Sequence, residues 1–209
     1  MSQDILIWER SGETFVTARF HENVTAEQIA RAELQWKPHR IAAIEKLISK
    51  GLMPPEARRL IQHSHWDWVA KAVALRERTL DTRCFGIELA DEWQGLMIVE
   101  LAAHVAELGE DRGKPLVYIE FLESAPWNLR DICESPRFGL IGMRLVEAAV
   151  KLSIVEGFHG RVGLHALPQA EPFYEKRCLM KHVEGAVKHG MKYYEMSREN
   201  AVKFLGEGR

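Results

Sequence analysis

Three features of the sequence predict an α/β (α+β) chain built on a mixed sheet. Segments with helical apolar spacing and segments with strand-like alternation interleave along the chain rather than segregating. The apolar period shortens past Asp81, from helical to strand-like. No internal repeat, low-complexity tract or Gly/Ser/Pro-rich linker divides the 209 residues, so a single domain over 1–209 is expected.

Ile5 to Phe20 alternates around a turn at Ser11-Gly12, which predicts one or two strands. Asn23 and Thr25 offer caps to a helix carrying Ile29 and Leu34. Pro38 is expected to interrupt it, after which Ile41, Ile44, Leu47 and Ile48 form an amphipathic stripe that stops at Gly51. Pro54-Pro55 open a third helix with Leu60, Ile61, Trp68 and Val73. The helical segment 24–78 thus separates the first strand region from the main sheet. Cys84–Leu89 and Leu96–Leu101 read as paired strands around a turn at Asp91–Gly95. Pro115–Ser124 reads as a third strand, broken by Ala125-Pro126. A helix follows from Gly139 to Glu156, with Leu145, Val146, Ala149, Val150 and Leu152 on its apolar side and Gly157 and Gly160 at its end. Arg161–Leu167 is another strand, and Pro168 opens a short helix over Glu171–Arg177. Strands over Val183–Val187 and Met191–Met196 then precede a small C-terminal helix.

Composition narrows the function classes. Apolar residues make up 46% and charged residues 28%, as in ordinary globular proteins. A formal net charge of −2 gives no electrostatic case for nucleic-acid binding. No apolar run reaches the ~18 residues a membrane span requires, and a start with Asp4 and Glu9 does not read as a secretory leader. Cys84, Cys133 and Cys178 are odd in number and unpatterned, which fits free thiols in a reducing cytoplasm rather than a zinc or disulfide framework. His63-Ser64-His65-Trp66-Asp67-Trp68 invites a metal reading. Two histidines two residues apart diverge on a helix, however, and no third ligand has suitable spacing, so no metal is expected. The tryptophans there are read as core packing or as the wall of an acceptor pocket.

The chemically informative stretch is Arg137-Phe138-Gly139-Leu140-Ile141-Gly142-Met143, directly ahead of the long apolar-faced helix. Free N–H groups at a helix N-terminus, together with the helix dipole, attract phosphate. Gly142 lets phosphate oxygens approach, and Arg137 is placed to add a charged contact. A plain strand-to-helix turn explains the glycines equally well.

At this point the chain resembles the GNAT acyltransferases. Arg137 and Gly142 match the ends of that family's Arg/Gln-x-x-Gly-x-Gly/Ala pyrophosphate loop, with Leu140 in place of the middle glycine. Ala170-Glu171-Pro172-Phe173-Tyr174-Glu175-Lys176 is similar to the Ala-x-x-x-Tyr-Glu-Lys segment after the family's fifth strand, which Gly160–His165 fits. Leu167 stands where many relatives have Asn, Cys178-Leu179 replaces the usual Gly-Phe, and additional residues including Ala125-Pro126-Trp127-Asn128 precede the loop. The resemblance spans essentially the whole chain. It implies a mostly antiparallel central sheet flanked by helices, with acetyl-CoA as acyl donor and no metal.

The resemblance also implies attack of an amine, on a small molecule or a protein, on the acetyl-CoA thioester. Cosubstrate binding is expected from Ser124, Ala125, Asn128, Arg137, Phe138, Gly139, Leu140, Ile141, Gly142 and Met143, with Trp127 covering the pantetheine arm or packing in the core. Tyr174 aligns with the tyrosine that protonates the departing thiolate, since a phenol of pKa about 10 keeps its proton at neutral pH; packing under the sheet is its structural alternative. Glu120 and Glu123 are candidate bases that alternate to opposite faces of one strand, and burial would raise either towards a useful range. Glu123, beside the break at Ala125-Pro126, is the better placed. His165 is a third candidate, acting through water. A GNAT-fold acyl-CoA-binding sensor without catalysis is the alternative. A homodimer is compatible with the strand-rich C-terminus, and the acceptor amine is not identified by the sequence.

Overall fold

The computed structural model describes residues 2–76, 81–101 and 104–207. Among them are nine strands: β1 (Ser2–Glu9), β2 (Thr14–Glu22), β3 (Thr82–Leu89), β4 (Glu92–Glu100), β5 (Val117–Ser124), β6 (Phe138–Gly139), β7 (Val162–Ala166), β8 (Lys181–Lys188) and β9 (Met191–Met196). The helices are α1 (Ala26–Ser49), α2 (Pro54–Leu60), α3 (Trp68–Arg76), α4 (Ile141–Val155), α5 (Glu171–Lys176) and α6 (Arg198–Glu207). The strands hydrogen-bond in the order β6-β1-β2-β3-β4-β5-β7-β9-β8. β5 and β7 run parallel, with Val117 opposite Val162, and β1 pairs antiparallel with both β2 and β6. The fold is the expected mixed α/β sheet with helices.

The chain divides into two compact units. The first contains β1, β2, the three N-terminal helices, Cys84–Leu96 and Glu123–Ile141; the second contains Met97–Leu122 and Gly142 onward.

In the first unit, Thr25 caps α1 as expected. Its hydroxyl accepts from the Gln28 N–H, and the Gln28 side chain returns a bond to the Thr25 N–H. Pro38 does not end this helix, contrary to expectation. The buried stripe of Ile29, Ala32, Glu33, Trp36, Arg40 and Ala43 continues on both sides of it, while Pro38 itself faces outward. Anchoring along that stripe outweighs the one hydrogen bond a proline forfeits. The third predicted helix is two helices. Ile61 and His63 turn into the core between them, and the Asp67 carboxylate accepts from the Ala70 N–H to start α3 afresh. Trp36 donates its indole N–H to the Trp93 carbonyl at 2.9 Å and meets Trp68 edge-on.

In the second unit, α4 buries Leu145, Val146, Ala149 and Val150 completely, each of the larger ones contributing about 1.5–3 kcal/mol. The Ser153 hydroxyl donates to the Arg161 carbonyl, tying the helix to the start of β7. α4 begins at Ile141, not Gly139: Phe138-Gly139 form β6, paired with Glu9 and Trp8 of β1. A two-residue strand carries no periodicity for a sequence reading to detect.

Candidate functional site

The turn that launches α4 is held from several sides in the first unit. The Arg10 N–H donates to the Arg137 carbonyl at 2.9 Å, and the Arg137 N–H donates to the Trp127 carbonyl at 3.1 Å. Asn128, buried, accepts the Phe138 N–H on its side-chain oxygen at 3.0 Å and donates its amide to the Gln94 side-chain oxygen at 3.1 Å. Trp127 also donates its indole N–H to that oxygen. Asn128 therefore pins the turn to β4, and its polar atoms are spent on protein partners. The Ala125 N–H is likewise engaged, to the Gln94 carbonyl at 2.8 Å. Ser124 ends β5 half-buried.

Leu140 then adopts φ +67. A glycine would take this left-handed conformation freely, and here the residue is leucine. The strand ends and the helix starts across this one residue. The first-turn N–H groups of α4, from Ile141 through Met143, follow directly. Arg137 does not stand alone: its guanidinium makes a bidentate pair with Glu92 at 3.3 and 2.7 Å, half-exposed, and lies near the Trp127 and Phe138 rings. Beside it, a cavity of about 580 Å³ is lined by Arg10, Arg130 and Arg137 together with Glu9, Ser11, Glu134, Ser135, Pro136 and Phe138.

Glu123 is not exposed at a cleft. It is 4% exposed, accepts from Arg40 Nη1 at 3.1 Å and from the Trp68 indole N–H at 2.5 Å, and lies 3.6 Å from His63 Nε2. Arg40, 2% exposed, also makes a bidentate contact with Glu33 at 2.6 and 2.7 Å. Glu33 in turn accepts the Trp68 N–H. One guanidinium is thus shared by two buried carboxylates. Burial pushes Glu123 up to about 7 against the opposing pull of Arg40 and Trp68, and burial, then Arg40 and His65, push His63 down to about 4. His63 consequently supplies no second positive charge at neutral pH. Sequence reasoning missed this cluster. The available signal was the seven-residue spacing of Glu33 and Arg40, two turns apart on the stripe that carries Ile29 and Trp36. Among the described residues, no group of His, Cys, Asp or Glu could hold a metal.

In the second unit, Gly142 lies under the Phe173 ring: a Cβ built there would come within 3.0 Å of Phe173 Cζ. The missing side chain was expected to leave space for phosphate. That space is instead filled by α5, so close packing of α4 against Phe173 accounts for the glycine. Cys178 Sγ approaches Met143 Sδ at 4.0 Å. Tyr174 is buried beside the Phe173 ring, and burial raises its phenol above the ordinary range.

Glu120 and His165 belong to a second polar group of this unit, around a residue the sequence reading did not single out. The Tyr118 hydroxyl lies 2.7 Å from His165 Nδ1, and the His104 ring stacks on the Tyr118 ring with centroids 3.7 Å apart. Tyr193 stands behind His165 at 5.1 Å between ring centroids. Glu120 Oε2 is 3.5 Å from Lys188 Nζ. Burial, then Lys188 and His104, hold the His165 pKa below that of an ordinary histidine.

No helix among the described residues is long and apolar enough to cross a membrane. No protein-family model matches the chain, and no curated protein matches it in sequence. Solved structures do match. The PaiA N-acetyltransferase of Thermoplasma acidophilum, crystallised with coenzyme A, superimposes with a TM-score of 0.52 at 12% identity, over 85% of this chain and 98% of that one. The GNAT domain of PAT from S. lividans gives 0.51 at 13% identity, over 93% and 96%. A predicted acetyltransferase of Clostridium acetobutylicum, crystallised with acetyl-CoA, gives 0.50 at 12% identity, over 82% and 94%. By its match to these structures the chain has the fold of the GNAT N-acetyltransferases.

Proposed function

We propose that the protein is an acyl-CoA-dependent N-acyltransferase that moves an acetyl group from acetyl-CoA to an amine. The observation that carries this reading is the likeness of the fold, over most of both chains, to N-acetyltransferases crystallised with coenzyme A or acetyl-CoA. The Arg137 and Phe138 N–H groups are committed to protein partners, so the diphosphate would be received by the first-turn N–H groups of α4.

Acetyl-CoA, when bound, supplies an activated acyl carbon. The protein has to remove a proton from the amine and return one to the thiolate as the new C–N bond replaces the C–S bond. We assign the first task to His165 rather than Glu123. Glu123 is enclosed by Arg40, Trp68 and His63, whereas His165 is half-buried, neutral at physiological pH and held at Nδ1 by Tyr118. With Nδ1–H donated to the Tyr118 oxygen, Nε2 has a lone pair for the amine proton. Tyr174 keeps its proton in a buried setting and would deliver it to the thiolate. Glu120 then serves the acceptor rather than the proton transfer.

The test is acetyl-CoA binding by calorimetry, followed by thiol release against an amine panel. Tyr174→Phe should lower kcat about 10²-fold or more while leaving acetyl-CoA affinity nearly unchanged. Equal turnover in the variant would leave Tyr174 as packing. The capture of Glu123 by Arg40 favours a second reading, a GNAT-fold acyl-CoA sensor; binding of acetyl-CoA without thiol release from any amine would select it.

A further inference from the structure

We infer that the polar group around Tyr118 is a recognition site for a primary alkylammonium, and that the side chain of Lys188 occupies it as an internal stand-in. The inference rests on the acyltransferase reading for its biological meaning, but its physical basis is independent of it.

Lys188 ends β8. Its Nζ sits 3.5 Å from the Glu120 carboxylate and 5.6 Å from the centroid of the Tyr118 ring. Tyr118 and Glu120 are two residues apart on β5 and therefore share a face. An ammonium that touches a carboxylate on one side and an aromatic face on the other is in the arrangement by which proteins bind cationic ligands. The phenol stays un-ionised: burial, then Glu120 and Glu100, raise its pKa. The imidazoles alongside do not compete for the role of cation. Burial lowers His104, with Lys188 adding to the effect and the two glutamates opposing it. His165 is lowered by burial, Lys188 and His104. With Lys188 withdrawn, the Glu120 carboxylate and the Tyr118 ring would be left without their ammonium.

Lys188 is built to leave. Its side chain is 40% exposed and its contact with Glu120 is long, so the pair is weak. The strand it ends is irregular: pairing with β9 shifts register between Val183 and Val187, Gly185 has φ +82, and His189-Gly190 turns with φ +53 and +79. A four-carbon stem on such a hairpin can swing aside for an incoming amine. Glu120 also sets the class of amine, since a carboxylate rewards a cation that still carries N–H donors. A primary ammonium on an alkyl chain satisfies both contacts, while a quaternary one satisfies only the ring.

The test uses the full chain without acetyl-CoA, titrated with n-butylammonium, 1,4-diaminobutane and Nα-acetyl-lysine methylamide, read by the NMR shifts of the Tyr118 and His165 rings. Lys188→Ala should bind n-butylammonium about tenfold tighter than the wild type, and adding Glu120→Gln should reverse that gain. Lys188→Gln serves as a second variant if alanine disturbs the hairpin, and tetramethylammonium should bind weakly throughout. The diamine and lysine arms distinguish a small-molecule source from a protein one. In turnover, Lys188→Ala should lower KM for the amine without changing KM for acetyl-CoA. If neither variant alters ammonium binding while acetyl-CoA binds normally, the inference is overturned and the acyltransferase reading stands. If ammonium binding follows the expected order but acetyl-CoA does not bind, the site stands and the acyltransferase reading falls.

Discussion

Replacing Leu140 offers a direct measure of the turn ahead of α4. At φ +67 the Cβ of an L-residue crowds its own following carbonyl, at a cost of about 1–2 kcal/mol. Glycine escapes that cost but loses more chain entropy on folding than alanine does, by about 0.4–1 kcal/mol. Comparing Leu140→Gly with Leu140→Ala cancels the leucine's half-buried side chain, because both variants lack it. About 1 kcal/mol in favour of glycine remains. For a chain of this size that separates the two Tm values by about 2–4 °C, the glycine variant melting higher. Calorimetric melting of the two proteins under identical conditions reads the difference. An alanine variant as stable as the glycine one would show that residue 140 is not left-handed in solution, and the geometry assigned to the start of α4 would be wrong.

The buried charges allow two further tests. Glu123, raised by burial to about 7, favours the folded state while protonated. Its contribution is fully present below the ordinary carboxyl range and is lost as pH rises through about 7. Glu123→Gln should therefore flatten the urea midpoint between about pH 5 and pH 8, and wild-type and variant profiles that run parallel would refute the shift. Arg40→Met strands two carboxylates in the interior and should cost about 3–5 kcal/mol; a loss below about 1 kcal/mol in denaturant unfolding would mean that water reaches the cluster. Gly142→Val should destabilise by about 1–3 kcal/mol through contact with Phe173. Phe173→Ala in the same chain should recover part of that loss, and strict additivity of the two changes would sink the packing explanation.

The parts of this fold that were legible in the sequence are those with a strong apolar signature. α4 announces itself because Leu145, Val146, Ala149 and Val150 fall on one face, whereas β3 and β4, buried almost continuously, stand out as short apolar runs. Pro38 misled for a local reason: its effect on one hydrogen bond is visible in sequence, but the anchoring of Trp36 and Arg40 on either side is not. The loop from Arg137 to Gly142 stands out through its resemblance to a family motif, but the partners of its side chains do not. That Arg137 pairs with Glu92, 45 residues away, or Glu123 with Arg40, 83 residues away, depends on tertiary closeness that no local pattern encodes. His165 was nameable alone; Tyr118, which orients it, lies 47 residues upstream.

The short ladder between β6 and β1 bears on how the protein should be handled in practice. Trp8 and Glu9 pair with Gly139 and Phe138, and Arg10 donates to Arg137, so the first ten residues act as a splint for a turn far along the chain. A truncation that removes Trp8 to Arg10 would take away both strand pairs and this hydrogen bond together. Preparations differing only at their N-terminus should therefore be compared for thermal stability before any variant of the turn is judged.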